Sequence, residues 1–299
     1  MSRNLVLAII LLIASSFFWS GNFFSGKIAF LSDLSPFKLS FFRWILALLI
    51  LLPFTYAQII RDLEYYKKNI LLMTIISILG VTIFNSFTYI SLQTTMVINS
   101  TLMASVAPVM MIGFSWLIFR TKTTTLQFTG IVLSLLGAFA IILKGDLKNL
   151  YNLYFTAGDL WMLGAVVSWC LYSVLLKKID SKTSQLANLE VMIIIGVIFI
   201  IPFYIMESFN STYLPSKGLD LAIIGYVAVF ASIVAFFSWN KGVSIIGPNR
   251  ASLFLHLIPV FSAIWAVSFL NEKFAFFHVI GVLFILSGII LSNIKLSNE

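Results

Sequence analysis

Long, uninterrupted apolar runs separated by short polar segments make up almost the whole chain. We place ten of them at Leu5–Phe24, Pro36–Tyr56, Ile70–Ile90, Val97–Phe119, Leu126–Leu143, Ala157–Leu176, Leu186–Met206, Leu219–Trp239, Ala251–Leu270 and Phe276–Asn293. A run of about 20 apolar residues can cross the hydrocarbon core of a bilayer as an α-helix. The runs do not alternate between apolar and polar residues, which favours helices over barrel strands. The pattern predicts an all-α integral membrane protein with ten transmembrane helices.

The composition indicates that lipid covers most of the surface. Hydrophobic residues form 60% of the 299 positions and charged residues only 10%, whereas soluble domains carry about 25% charged residues. A soluble chain of this composition would lack the polar side chains needed to cover its surface. The connecting segments are short, so we expect no domain outside the bilayer.

The net charge of +8 comes from basic residues scattered along the connecting segments. This arrangement is typical of the positive-inside pattern and not of a nucleic-acid surface. If the N-terminus is cytoplasmic, twelve Lys and Arg residues lie inside and six outside, with Arg43 left out as intramembrane. We therefore expect both termini in the cytoplasm. Arg3 and the apolar run after it resemble a signal peptide, but no cleavage site follows, so we interpret this run as the first helix.

The chain matches itself when it is shifted by about 150 residues. Trp19 then falls on Trp169, and a shift of 151 superimposes Pro108 on Pro259, Lys122 on Lys273, Gly130 on Gly281 and Gly137 on Gly288. We divide the chain into repeats at 1–148 and 149–299. Five helices in each repeat give the halves opposite orientations in the membrane. Such inverted repeats are typical of transporters that enclose a site near the midplane.

Several short motifs resemble the EamA-like family of the drug/metabolite transporter superfamily. They are Phe18-Trp19-Ser20-Gly21-Asn22-Phe23 with Lys27, Phe41-Phe42-Arg43-Trp44, Leu257-Ile258-Pro259-Val260, Leu270-Asn271-Glu272-Lys273, Gly281 and Gly288. The resemblance covers nearly the whole chain. It implies a ten-helix carrier of the inner membrane with cytoplasmic termini, often an exporter of amino acids or related metabolites.

The chain departs from the family pattern after the fourth helix. The family commonly has an acidic residue there, whereas this chain has Arg120-Thr121-Lys122. The second half keeps the acidic residue as Glu272, for which we expect a structural role as a charge.

Two prolines and one arginine inside the apolar runs predict local departures from regular helix. Pro108 and Pro259 lack the N–H that would pair with the carbonyl four residues earlier, so each is a candidate hinge or a packing kink. A charge such as Arg43 within a span needs a partner or an aqueous route. It could pair with a carboxylate, anchor a substrate carboxylate, or extend beside Lys38 to the outer interface, and we favour the last alternative. Glu190 is the unusual charge of the second half, a few residues short of the position equivalent to Arg43, so we do not pair the two.

Aromatic and polar residues at membrane depth are the candidates for substrate binding. They are Trp19, Asn22, Asn85, Tyr89, Trp169, Tyr172, Trp239 and His256. The two tryptophans at equivalent repeat positions could hold an apolar or cationic group, since aromatic faces attract both. His256 could instead carry a coupling proton, because histidine titrates near physiological pH. Few carboxylates lie at membrane depth, so a zwitterion or weakly polar metabolite suits this lining best.

Small residues on one face of the fifth predicted helix indicate close helix packing. Gly130, Ser134 and Gly137 are spaced by four and three residues, and Gly281 and Gly288 repeat the outer pair. Small residues let membrane helices approach closely. The contact could join the two halves or two copies of the chain, so a homodimer is compatible with the pattern.

Motifs for covalent chemistry are absent from the sequence. There is no HExxH, GxSxG or GxxxxGK[ST] motif, Cys170 is the single cysteine, and His256 and His278 are far apart. We therefore expect no enzyme activity, cofactor or metal. The sequence favours a secondary transporter for a small-molecule substrate, working by alternating access. A lipid flippase and an intramembrane enzyme for a lipid-linked substrate are the alternatives.

Overall fold

The computed structural model describes residues 3–31, 34–151, 154–210, 214–216, 218–269 and 275–293, which are almost entirely helical. We label the ten spanning helices α1 to α10. Six of them are α1 Arg3–Leu31, α2 Pro36–Arg61, α5 Thr125–Ile142, α6 Ala157–Leu175, α7 Gln185–Asn210 and α10 Phe276–Asn293. The other four change helix type or break: α3 Ile70–Ser77, Ile78–Ile83 and Phe84–Thr94; α4 Val97–Ala104 and Ala107–Phe119; α8 Gly218–Tyr226, Val227–Val234 and Ala235–Ile246; α9 Pro248–Ala251, Ser252–His256 and Leu257–Phe269.

These helices confirm the predicted all-α membrane fold. Within the described residues, nine stretches of helix are long and apolar enough to cross a membrane. The tenth span, α9, contains a 3₁₀ segment at Ser252–His256 between two α-helical parts. Since consecutive helices alternate in direction, we call the side where α1 starts the proximal side and the side where it ends the distal side.

The breaks in α4 and α9 lie at the two predicted prolines. Pro108 is the second residue of Ala107–Phe119, and Pro259 is the third residue of Leu257–Phe269. Proline is tolerated in the first turn of a helix because no N–H is needed there. Each span therefore restarts just before its proline. The interruption is observed, and its role as a hinge remains a prediction.

The third helix of each half contains a π-helical segment that the sequence pattern did not predict. These segments are Ile78–Ile83 in α3 and Val227–Val234 in α8, at equivalent positions of the two repeats. A π-helical turn shifts backbone hydrogen bonds from i→i−4 to i→i−5 and often occurs at functional sites. Its recurrence in both halves argues for a shared role.

The two halves pack through backbone contacts between α5 and α10. An added Cβ at Gly130 would lie 2.6 Å from the carbonyl oxygen of Gly288, and one at Gly137 would lie 2.6 Å from that of Gly281. There is no room for a side chain at either position. The small-residue seam therefore joins the two halves of one chain. Further contacts between the halves pair α1 with α8, α2 with α7 and α3 with α6.

We expect Gly137→Ala to destabilise the protein by about 1–3 kcal/mol, because the added methyl group meets a backbone carbonyl that cannot turn aside. Gly113→Ala is the matched control, since an added Cβ there meets nothing within 4 Å. The control should unfold at the wild-type temperature or slightly above it, because alanine is the better helix former. Thermal unfolding of the purified proteins in detergent measures both effects. If the two variants unfold at the same temperature, the close backbone contact between α5 and α10 is contradicted.

Candidate functional site

A cavity lies between the two halves, lined mainly by the distal halves of their helices. The empty space within it is about 620 Å³, counted with the space open to solvent. The walls come from α1, α3, α4, α6 and α9. Asn22, Phe84, Thr88, Thr101 and Met162 belong to the distal halves of their helices. The cavity therefore extends from the middle of the bundle into its distal half.

Two tryptophans from equivalent positions form the inner end of this cavity. The rings of Trp19 and Trp169 meet edge to face with centroids 4.9 Å apart. The Nε1–H of Trp19 donates to the carbonyl of Ala231 at 3.0 Å, in the π-helical segment of α8. The Nε1–H of Trp169 is buried and has no acceptor within the described part of the chain. The repeat thus places two similar rings here, of which one N–H is hydrogen-bonded and the other has no acceptor among the described residues.

A layer of aromatic side chains separates the cavity from the proximal side. Trp169 contacts Tyr172, Phe236 and Trp239 at centroid distances of 5.1, 5.4 and 5.4 Å. These three partners are fully buried. Tyr172 and Trp239 therefore lie behind the cavity and close its proximal end, and they are not among its lining residues.

Hydrogen bonds hold this aromatic layer in place. The hydroxyl of Tyr172 donates to Asn240 Oδ1 at 2.7 Å, and Trp239 Nε1 donates to Ser173 Oγ at 3.1 Å. Both bonds link α6 to α8 across the proximal half. Opening the cavity to that side requires these two helices to separate.

Arg43 lies inside the bundle, so the favoured prediction that it extends to the outer interface is wrong. Its side chain is fully buried. Nη1 donates to Asn22 Oδ1 at 3.2 Å, to Asn85 Oδ1 at 2.9 Å and to the hydroxyl of Tyr89 at 2.5 Å, while Nε donates to Ser232 Oγ at 2.8 Å. Polar groups from α1, α3 and α8 replace the water that an interfacial arginine would reach. The predicted residues Asn22, Asn85 and Tyr89 are thereby brought together.

The charge of Arg43 has no acidic partner among the described residues. Two ion pairs among the described residues join Arg61 to Asp62 and Lys67 to Glu64, at the proximal end of α2 and in the turn after it. Arg43 Nη2 is buried without a hydrogen-bond partner in the same part of the chain. Arginine keeps its charge in proteins, and a buried charge is costly unless it is paired. Asn22, which lines the cavity, separates this charge from the cleft.

His256 lies behind the cavity wall. Its Nε2 bonds to the carbonyl of Ser105 at 2.9 Å, and its Nδ1 bonds to Ser134 Oγ at 2.6 Å. A carbonyl only accepts, so Nε2 carries a hydrogen. Ser105 lies at the break in α4 and itself lines the cavity. The histidine thus satisfies a carbonyl at the helix break and ties α9 to α4 and α5.

The remaining candidates are distributed unevenly around the cavity. Pro259 lines it, whereas Pro108 lies directly after the lining residue Ala107. Glu272 lies outside the described residues. Sequence reasoning missed Ser232, the Arg43 partner on α8. Ser232 is the counterpart of Thr82 at a shift of 150, so paired small polar residues at equivalent repeat positions were the available signal.

Comparisons with known proteins agree with this architecture. The model of the EamA-like transporter family matches residues 6–143 and again residues 156–294. An uncharacterized transporter of Archaeoglobus fulgidus is 28% identical over 295 residues, covering 98% of this chain and 97% of the relative. The uncharacterized transporter YyaM of Bacillus subtilis is 26% identical, with 76% of this chain and 74% of the relative covered. The uncharacterized inner membrane transporter YicL of Salmonella typhimurium is 23% identical, with 88% and 87% covered.

A crystal structure superimposes on the chain with a TM-score of 0.75 at 16% sequence identity, covering 96% of each chain. This likeness concerns the fold alone. The family match extends over both halves, in line with the five-plus-five duplication of helices and the cavity between the halves. The chain belongs to the EamA-like transporter family.

Proposed function

We propose that this protein is a secondary transporter that carries a small zwitterionic metabolite, an amino acid or a related compound, out of the cell by alternating access. Family membership makes it a multi-pass membrane transporter. The proposal goes beyond family membership in four respects: the substrate class, the direction of export, the inner-membrane location and the cytoplasmic position of both termini. The observation that carries the proposal is the midplane cavity between inverted halves, closed at one end by the aromatic layer.

The lining suits a molecule with one apolar part and few charges. No charged residue is among the described lining residues, which include the rings of Trp19, Phe84 and Trp169. Aromatic walls contact an apolar side chain or a cationic amino group favourably. The Nε1–H of Trp169, buried without an acceptor in the described residues, is the hydrogen-bond donor that we assign to the substrate.

Arg43 is the residue best suited to bind a carboxylate group of the substrate. Asn22 Oδ1 now accepts from both Arg43 and Tyr89, at 3.2 and 2.9 Å. A carboxylate entering beside Asn22 could take over these donors and also accept from Nη2. Arginine binds carboxylates through two parallel hydrogen bonds, and the exchange would compensate a charge that has no acidic partner in the described residues.

In alternating access the proximal end of the cavity would open while its distal end closes. In the structure the cavity lies in the distal half of the bundle, and under the proposed orientation this half faces the outside of the cell. Export requires the aromatic layer to open towards the cytoplasm while the distal walls meet. The breaks in α4 and α9 lie beside the cavity and supply bending points for this movement.

We expect Trp169→Phe to raise the half-saturation concentration of the transported amino acid roughly tenfold, the effect of losing one hydrogen bond of about 1.4 kcal/mol. The ring, and hence the packing, is largely kept. Uptake of a labelled amino-acid panel into proteoliposomes measures the effect. Trp161→Phe is the matched control, because Trp161 lies on the same helix but is exposed and does not line the cavity. Equal effects of both variants would refute a substrate role for Trp169.

Replacing Arg43 should remove recognition of the carboxylate. The wild-type protein is expected to prefer an amino acid over its uncharged amide by tenfold or more, since hydrogen bonds to charged groups contribute about 1.5–3 kcal/mol. Arg43→Gln should abolish this preference. Arg61→Gln is the control on the same helix, since Arg61 pairs with Asp62 at the proximal end of α2 and does not line the cavity. A folded Arg43→Gln protein that still prefers the carboxylate would exclude this role. Absence of flux for the whole panel in the wild-type protein would count against the amino-acid proposal.

A further inference from the structure

Two similar hydrogen bonds each join the first helix of one half to the third helix of the same half. In the first half the hydroxyl of Tyr89 on α3 donates to Asn22 Oδ1 on α1 at 2.9 Å. In the second half the hydroxyl of Tyr172 on α6 donates to Asn240 Oδ1 on α8 at 2.7 Å. Tyr89 and Asn240 both lie in the last segment of their helix. The same kind of contact therefore occurs once in each half.

The duplication relates these two bonds, with tyrosine and asparagine exchanged. A shift of 150 residues superimposes Asn22 on Tyr172, and a shift of 151 superimposes Tyr89 on Asn240. These are the shifts that align the other equivalent positions of the repeats. Because the halves are inverted, the bond of the first half lies in the distal part of the bundle and that of the second half in the proximal part. The chain thus presents one such pair towards each side of the membrane.

The two asparagines differ in their remaining bonds. Asn22 lines the cavity, and its Oδ1 also accepts from Arg43 Nη1 at 3.2 Å. Asn240 is 2% exposed, and its Nδ2 has no hydrogen-bond partner within the described residues. A buried N–H group without an acceptor is costly. The amide nitrogen of Asn240 is therefore suited to a partner that arrives only in another conformation of the protein.

Asn188 shows that this chain can bond both ends of a buried asparagine on the proximal side. It is 1% exposed and lies near the start of α7. Its Oδ1 accepts from the hydroxyl of Tyr66 at 2.9 Å, and its Nδ2 donates to Thr183 Oγ1 at 2.9 Å. Asn188 and Asn240 thus share a tyrosine donor and differ in the bonding of the amide nitrogen.

The amide of Asn240 lies behind the inner end of the cavity. Its partner Tyr172 contacts the ring of Trp169 at a centroid distance of 5.1 Å. Trp169 lines the cavity, and its Nε1–H also has no acceptor among the described residues. Two buried donors therefore follow one another from the cavity towards the proximal side.

Basic residues lie near the proximal ends of the same two helices. Lys177 and Lys178 directly follow α6 and are exposed, and Lys241 directly follows Asn240 in α8. Asn240 lies six residues before the end of α8, which is about 9 Å along the helix axis. Positive charge at this end favours an anionic group. A carboxylate that leaves the cavity here would pass Asn240 on its way to a basic exit.

We propose that Asn240 binds the substrate in the conformation in which the cavity opens to the proximal side, where its amide nitrogen donates to the substrate carboxylate. This inference rests on the proposed transport function. Inverted halves exchange roles in alternating access, so the pair that borders the proximal cavity corresponds to the pair that contains Asn22. Separation of α6 and α8 would give the carboxylate access to Asn240. The new hydrogen bond would satisfy the nitrogen for which the described residues provide no acceptor.

Uptake into membrane vesicles of defined orientation tests this role. Asn240→Asp keeps an oxygen for the hydroxyl of Tyr172 and replaces the amide nitrogen with an oxygen that repels a carboxylate once water reaches it. When a labelled amino acid enters from the proximal side, its half-saturation concentration should rise roughly tenfold, the effect of one lost hydrogen bond. For entry from the distal side, where we assign the carboxylate to Arg43, the half-saturation concentration should change much less.

Asn188→Asp is the matched control, because Asn188 is also buried, proximal and bonded to a tyrosine but has a bonded amide nitrogen. Its half-saturation concentrations should equal those of the wild-type protein on both sides. An equal change on the two sides in a folded Asn240→Asp protein, or no change on either side, would refute the proposal.

Cysteine labelling tests the position of Asn240 without measuring transport. Asn240→Cys is combined with Cys170→Ala, which removes the single native cysteine, and is treated with a membrane-impermeant thiol reagent. The new cysteine should react from the proximal side and not from the distal side, and saturating amino acid should slow the reaction. Ser244→Cys in the same background is the control, because Ser244 is exposed on the same helix. It should react with or without the amino acid, and it shows which vesicles expose the proximal side.

The two assays separate this inference from the proposed function. If the wild-type protein moves no amino acid of the panel, the substrate proposal fails, and labelling of Asn240→Cys still decides whether this residue lines a cavity that opens to the proximal side. If the protein transports amino acids but Asn240→Cys does not react from the proximal side, the transport proposal stands and the role of Asn240 is overturned.

Discussion

The pairing of backbone polar groups inside the membrane is the constraint on which the rest of this structure depends. In hydrocarbon each unpaired N–H or C=O group costs several kcal/mol, so a regular helix is the default. This chain departs from regular helix in α3, α4, α8 and α9. Side chains satisfy carbonyls in these segments: Trp19 bonds to Ala231, Ser168 to Leu79, His256 to Ser105 and Asn85 to Gly80. Three of these four bonds join one half of the protein to the other, so the irregular backbone and the contact between the halves depend on each other.

The duplication supplies a nearly symmetric frame with unequal chemistry. The breaks in α4 and α9 and the π-helical segments in α3 and α8 recur at equivalent positions. The side chains at these equivalent positions do not recur. The N–H of Trp19 is hydrogen-bonded, whereas that of Trp169 has no acceptor in the described residues, and His256 bonds to Ser105, its own repeat counterpart. In the proposed transport cycle, the equivalent backbone positions would allow the two halves to exchange roles, and the unequal side chains would hold a substrate in one orientation.

The buried ionisable residues differ from the rest of the interior, which is apolar and closely packed. Most of the core is apolar, and the seam of α5 and α10 depends on the absence of side chains at four glycines. Arg43 is instead surrounded by amides and hydroxyls, and Glu190 by no hydrogen-bond partner in the described residues. Neither arrangement is the most stable way to fill a membrane protein, because hydrophobic groups of similar volume avoid the desolvation cost. Their retention is consistent with groups that change partners during a transport cycle.

The sequence alone determined the helix count, the inverted duplication, the interruption at the prolines and the small-residue seam. These features follow from local composition and periodicity, since run length, missing N–H groups and missing side chains act within a helix or between its equivalents. It also identified Trp19, Asn22 and Trp169, which line the cavity. Tertiary structure alone decided that Arg43 is buried, that Ser232 binds it, that Tyr172 and Trp239 close the cavity, and that α3 and α8 contain π-helical turns. These outcomes depend on which side chains from distant helices meet at one depth, because a buried polar group takes its partners from across the bundle and not from its own segment.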